Sequence, residues 1–209
     1  MASIEFVTLE VADPTAATRF TTTVPGSDAW LRLRASEAPT TGFRGFTLSL
    51  VVSQPATVNG LIDAAVDAGA TALKPAAKSL WGYGGVVQDP GGAIWTVASS
   101  SKKDTGPASP QIDEIVLQLG VEDVAASKKF YVDRGFSVAK SYGRKYVELA
   151  TPSSPVKLSL YKRRALAKVA GVAPEGTGSH RLAIGGDTGP FTDPDGFVWE
   201  QAAPAGHGK

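Results

Sequence analysis

The sequence predicts an α+β protein of two consecutive domains, and three observations carry that expectation. Asp89-Pro90-Gly91-Gly92-Ala93-Ile94-Trp95-Thr96 and Asp193-Pro194-Asp195-Gly196-Phe197-Val198-Trp199-Glu200 are two copies of one hairpin, a Pro/Gly turn leading into a strand with the same Trp. Ile112–Leu119 echoes the strand pattern of Ile4–Val11, and an acid-opened helix signal follows each. Residues 101–110 are polar, rich in Ser, Gly and Pro, and without an apolar period, which reads as a linker. The expected boundaries are a domain over 1–100, the linker 101–110, a domain over 111–204 and a tail over 205–209.

Ile4–Val11 alternates as a strand. Asp13-Pro14 opens a helix, since Asp caps an N-terminus well and Pro is tolerated in the first turn. Val24-Pro25-Gly26 ends it. Ala29–Arg34 and Phe46–Val52 read as strands. Thr57–Ala68 is the clearest helix, with Val58, Leu61, Ile62, Ala65 and Val66 at helical spacing and Gly69 at the left-handed cap. A strand near Ala72–Lys74, a loop over Trp81-Gly82-Tyr83-Gly84-Gly85 and the first hairpin complete the half. After the linker come a strand over Ile112–Leu119, a helix over Glu122–Asp133 stopped by Gly135, and strands near Phe136–Val138, Lys145–Leu149 and Val156–Tyr161. Arg164–Ala170 reads as a short helix. His180–Ile184 is then the counterpart of Phe46–Leu50, but the long helix that should follow is missing and the chain runs straight into the second hairpin.

Composition narrows the function. Lys+Arg 21 against Asp+Glu 20 leaves a formal charge of +1, which calls for neither a nucleic acid nor a membrane as partner. Zero cysteines exclude disulfides, thiolate metal sites and Cys nucleophiles, leaving His and carboxylates as metal ligands. No signal segment or membrane-length apolar run is seen, so a cytoplasmic protein is expected, as a monomer or homodimer. His207 lies in the tail, so a Ser-His-Asp triad would have to use His180, and no nucleophile elbow accompanies it.

The order strand, helix, strands, given twice and closed by D-P-x-G-x-x-W-E, resembles the vicinal oxygen chelate superfamily, which includes glyoxalase I, extradiol dioxygenases and bleomycin-binding proteins. The resemblance covers most of the chain. It implies two glyoxalase-like domains of paired βαβββ modules, each curled around a cleft, with one helix deleted from the second. It also implies a divalent ion held by side chains on the first and last strands of each module. In the N-terminal half those positions fall on Phe6, Phe46, Thr96 and a residue near Arg32, which implies that the metal positions are lost. In the C-terminal half they fall on Glu114, Ser159, His180 and Glu200. A metal set of Glu114, His180 and Glu200 would suit Zn, Fe, Mn or Ni.

Two functions follow. In one, a metal-assisted lyase or isomerase acts in the C-terminal cleft, the ion polarises a carbonyl or enediolate oxygen, and Glu114 or Glu200 moves a proton as the catalytic residue. In the other, a metal-free protein sequesters a small hydrophobic or antibiotic-like compound. The binding residues expected for a small-molecule ligand are Trp30, Trp81 and Tyr83, with Phe6 and Phe46 as further pocket walls, and Tyr161 and Arg163 on a basic rim. The bland alternatives are core aromatics, a loop-edge His180, a solvated Glu200 and a solvated basic face.

Overall fold

The computed structural model describes residues 2–202, and the 205–209 tail with His207 lies outside the described residues. The first module comprises β1 (Ile4–Val11), α1 (Pro14–Thr21), β2 (Leu31–Ala35) and the short β3 (Thr40–Gly42). The second comprises β4 (Phe46–Val51), α2 (Pro55–Asp67), β5 (Thr71–Ser79), β6 (Gly82–Gln88) and β7 (Ile94–Ser99). The third repeats that pattern with β8 (Glu114–Val121), α3 (Val124–Val132), β9 (Ser137–Ser141), β10 (Tyr146–Ala150) and β11 (Lys157–Lys162). After α4 (Arg163–Ala170) and β12 (Gly176–Gly178), the fourth module has only β13 (Leu182–Gly186), β14 (Phe191–Thr192) and β15 (Val198–Gln201). The α+β class, the repeated modules and the missing helix are all present.

Each main sheet draws on both halves of the sequence. The eight-stranded sheet has the order β5-β6-β7-β4-β8-β11-β10-β9, and the five-stranded one β14-β15-β13-β1-β2. Leu48 of β4 lies opposite Leu117 of β8, and Val7 of β1 opposite Ile184 of β13, both antiparallel. The second and third modules therefore build one sheet and the first and fourth the other. The boundaries 1–100 and 111–204 divide the chain in sequence without dividing the sheets. β4 explains why: Phe46 to Leu50 are all buried, so this strand needs a partner on each edge, and β7 supplies only one.

Caps and apolar faces fix the rest. Asp13 Oδ1 accepts the Thr15 and Ala16 N–H groups, and Asp123 Oδ1 those of Ala125 and Ala126, so α1 and α3 start in equivalent places. Alternate strand residues, including Leu48, Leu50, Leu117, Leu119, Leu158, Leu160, Ile184 and Trp199, join the helices in one apolar core. Phe20 of α1 packs on Trp95 with ring centroids 5.4 Å apart, and Tyr131 of α3 on Trp199 at 5.7 Å. Full burial of each such aliphatic or aromatic side chain is worth roughly 1.5–3 kcal/mol.

Two expectations about loops change. Residues 82–85, expected in a loop, lie in β6, and the turn is Leu80-Trp81 alone. The glycines are there because space is lacking: a Cβ on Gly84 would sit 2.8 Å from Val97 O, and one on Gly85 2.6 Å from Ile62 Cδ1. The 101–110 linker is strapped to α2. Gln54 Oε1 accepts from the Thr105 and Gly106 N–H groups, Gln54 Nε2 donates to Pro107 O, and Asp104 Oδ1 accepts the Ala56 N–H at 2.6 Å. Gln54 makes no cap hydrogen bond of its own, so Asp104 caps α2 from outside the helix.

Candidate functional site

The face of the eight-stranded sheet away from α2 and α3 is the place to look for a site, and α4 lies on it. Leu166, Ala167 and Ala170 are completely buried in a second, smaller apolar cluster with Phe43, Val86 and Ile94. Lys74 on β5 holds the far end of α4, donating from Nζ to Lys168 O and Val169 O, both at 2.7 Å. Beyond α4 the sheet stays open as a groove of about 350 Å³ over β5, β6 and β7. Its floor is Gly82, Gly84, Val86, Thr96 and Ala98, with Val169 at the α4 end and Ala77 and Lys78 along β5. Small residues face one another there, Gly84 opposite Ala98 and Val86 opposite Thr96. Trp81 stands at the lip, 85% exposed.

Further along the same face, a polar row crosses four strands in register: Thr47, Gln118, Ser159 and Glu148. Thr47 Oγ1 donates to Gln118 Oε1 at 2.8 Å, and Gln118 Nε2 donates to the Tyr161 hydroxyl at 3.4 Å. The Tyr146 hydroxyl donates to Glu148 Oε2 at 3.2 Å. Burial, then the Glu148 charge, push the Tyr146 and Tyr161 hydroxyls up from their usual pKa, so both stay protonated as donors. Tyr146 and Tyr161 meet edge-on at 4.9 Å.

The three expected metal ligands are not brought together, and among the described residues no group of three or more His, Asp or Glu side chains could hold an ion. Crosswise pairing is the first reason, since it puts Glu114 in one sheet and Glu200 in the other. Register is the second. Counting from the helix caps Asp13 and Asp123, Phe6 matches Val116, so Glu114 lies two residues outside the expected position; there it pairs with Lys157 Nζ at 2.6 Å. His180 likewise precedes β13 by two residues. Its Nδ1 and Nε2 face Arg44 O at 2.6 Å and Asp195 O at 2.8 Å, and its ring stacks on Phe197, so neither nitrogen presents a lone pair to an open face. Glu200 does lie on the open face of its sheet, where Arg34 grips it through two 2.8 Å hydrogen bonds and also reaches Glu10 at 3.3 Å. Beside that pair, the Arg32 guanidinium lies 3.4 Å over the Phe6 ring, and Phe6 fills the space that a side chain at Gly185 would take. A guanidinium and an aromatic ring thus fill the positions where the resemblance implies a cation. These residues do not fit a divalent ion.

The expected aromatic pocket also divides. Trp30 and Phe46 are core residues, 2% and 1% exposed, Trp30 packing on Trp95 at 6.3 Å. Only Trp81 and Tyr83 border the groove, and the Tyr83 hydroxyl donates to Asn59 on α2. Arg163 serves the fold, donating to Phe43 O and Pro174 O. Residues that sequence reasoning passed over, Ala77, Ala98 and Val169, line the groove together with Thr96. Their signal was smallness at alternate positions, which becomes readable only once Gly84 is known to face Ala98.

No protein-family model matches the sequence, and no curated protein matches it. Among solved structures, the V278E mutant of glyoxalase I from Zea mays superposes with a TM-score of 0.58 at 15% identity, covering 95% of this chain and 91% of its own. The chain has the glyoxalase fold. Another Zea mays glyoxalase I structure gives 0.57 at 15% identity over 90% of this chain and 75% of that one. A candidate dioxygenase from Bacillus subtilis gives 0.53 at 12% identity over 88% and 69%. At such identities the glyoxalase fold is shared while the chemistry of each site has to be read from its own side chains.

Proposed function

We propose that this glyoxalase-fold protein binds a small, flat, largely apolar compound in the groove over β5, β6 and β7, without a metal ion. The observation that carries this reading is the groove itself: a floor of glycine, alanine, valine and threonine, closed by α4 at one end and flanked by the exposed Trp81. At about 350 Å³ it lies at the small end of ligand pockets, which suits one or two fused rings. Lys74 is committed to the α4 carbonyls, so Lys78 is the cation left at the rim, and a ligand with one anionic substituent gains from it. The lyase or isomerase reading needs Glu114, His180 and Glu200 around one ion, and the side chains favour the binding reading instead.

The test uses 1-anilinonaphthalene-8-sulfonate as probe. Trp30, Trp95 and Trp199 are at most 2% exposed, so Trp81 alone among the tryptophans can be touched by a bound probe, and the quenching lost in Trp81→Phe reports on it. Saturable quenching that Trp81→Phe removes, and that a chelator leaves unchanged, is the expected result. Quenching that requires a divalent ion, or that survives Trp81→Phe at full amplitude, overturns the reading.

A further inference from the structure

We propose that the β5–β6 tip is a docking point for an anionic lipid surface. Leu80 and Trp81 are 80% and 85% exposed, the two most exposed large apolar side chains among the described residues, and they are adjacent at one turn. Cations surround them. Lys102 Nζ donates to Leu80 O at 3.0 Å, Lys103 follows it, and Lys78 sits on β5 just before the turn; all three are exposed. Asp104, the acid next to Lys103, is engaged in capping α2. The overall charge of +1, which argues against a membrane partner, averages over this local excess.

A Trp and a Leu at a tip ringed by lysines suit the bilayer interface. The indole settles at headgroup level, the leucine reaches the acyl boundary and the ammonium groups meet anionic headgroups. Each lysine near such a surface strengthens binding by about five-fold. Trp81 also borders the groove, so a compound dissolved in the bilayer would meet the groove at the point of docking. This last link rests on the proposed function, whereas the docking itself does not.

Co-sedimentation with vesicles of phosphatidylcholine alone, or with one third phosphatidylserine, tests the proposal. We expect phosphatidylserine-dependent, salt-sensitive binding with a blue shift of Trp81 emission, abolished by Leu80→Asp and weakened about five-fold by Lys103→Gln. Neither variant touches the groove, so each should still bind anilinonaphthalene sulfonate in lipid-free solution, which also shows that it is folded. Retained probe binding without vesicle binding would overturn docking and leave the groove reading standing. Vesicle binding unchanged in Leu80→Asp, or Leu80-dependent self-association without lipid, would overturn it equally, the latter by assigning the tip to a second copy of the chain.

Discussion

The indole N–H of Trp95 donates directly to Asp89 Oδ2 at 2.9 Å in the core. The second hairpin lengthens this link: Trp199 Nε1 donates to the Tyr131 hydroxyl at 3.2 Å, which donates to Asp193 Oδ2 at 2.6 Å. The duplicated aspartate is therefore a structural group that ties each turn to its tryptophan. Burial raises the pKa of both carboxyls above the usual range. A carboxyl raised in the folded state contributes stability that is fully present below its unfolded pKa, about 3.9, and lost as pH rises through the folded value. Asp89→Asn should flatten the fall in stability from about pH 4 upward and, by orphaning the Trp95 or Ala93 N–H, cost about 1–3 kcal/mol at neutral pH. Urea unfolding at stepped pH is the measurement.

Glu200 has the opposite sign. Its hydrogen bonds to Arg34 hold its carboxyl below the usual range, so its contribution is present above the unfolded value, about 4.3, and lost as pH falls through the folded one. The pair is partly exposed, so Glu200→Gln should cost only about 0.2–1 kcal/mol at neutral pH, and the difference should shrink on acidification.

Ala98 faces Gly84 across the groove floor. Ala98→Leu should fill the groove and weaken anilinonaphthalene sulfonate binding at least ten-fold, while the thermal midpoint stays within a few degrees of the parent. Unchanged affinity would place the probe elsewhere.

Gln54 holds the 101–110 strap by its side-chain amide. Gln54→Ala should release it and speed tryptic cleavage after Lys102 and Lys103, read as the rate of loss of intact chain at low protease.

His180→Ala should lower the thermal midpoint, because the ring N–H that donates to one of the Arg44 and Asp195 carbonyls is lost and Phe197 loses its stacked ring. The loss should be the same with and without divalent ions. A parent protein stabilised by an ion, with the gain abolished in the variant, would restore His180 as a ligand.

The sequence displayed the modules, the caps and the missing helix because these are local: Asp13 and Asp123, Gly69, and the two D-P turns each act within a few residues. Which module lies against which is set by long-range edge pairing, and nothing near Leu48 or Val7 announces Leu117 or Ile184 as the neighbour. The set Glu114, His180 and Glu200 assumed consecutive pairing, and crosswise pairing leaves it apart. Glu114 and His180 were also misplaced by two residues, a slip that keeps strand parity and so leaves no trace in the apolar pattern. That Trp81 and Tyr83 border an open groove was legible because a glycine-rich aromatic stretch is unusual. Trp30 was not, since an aromatic in a strand looks alike whether it faces core or cleft.

The order of synthesis bears on the crossed sheets. β1 is synthesised some 170 residues before its neighbour β13, so it has only β2 to pair with until β13 is made. The eight-stranded sheet can assemble as soon as β11 is made, and it would serve as the template on which β1 and β13 later pair. Neither 1–100 nor 111–204 expressed alone should then give a stable protein, but the two fragments mixed should reconstitute the fold.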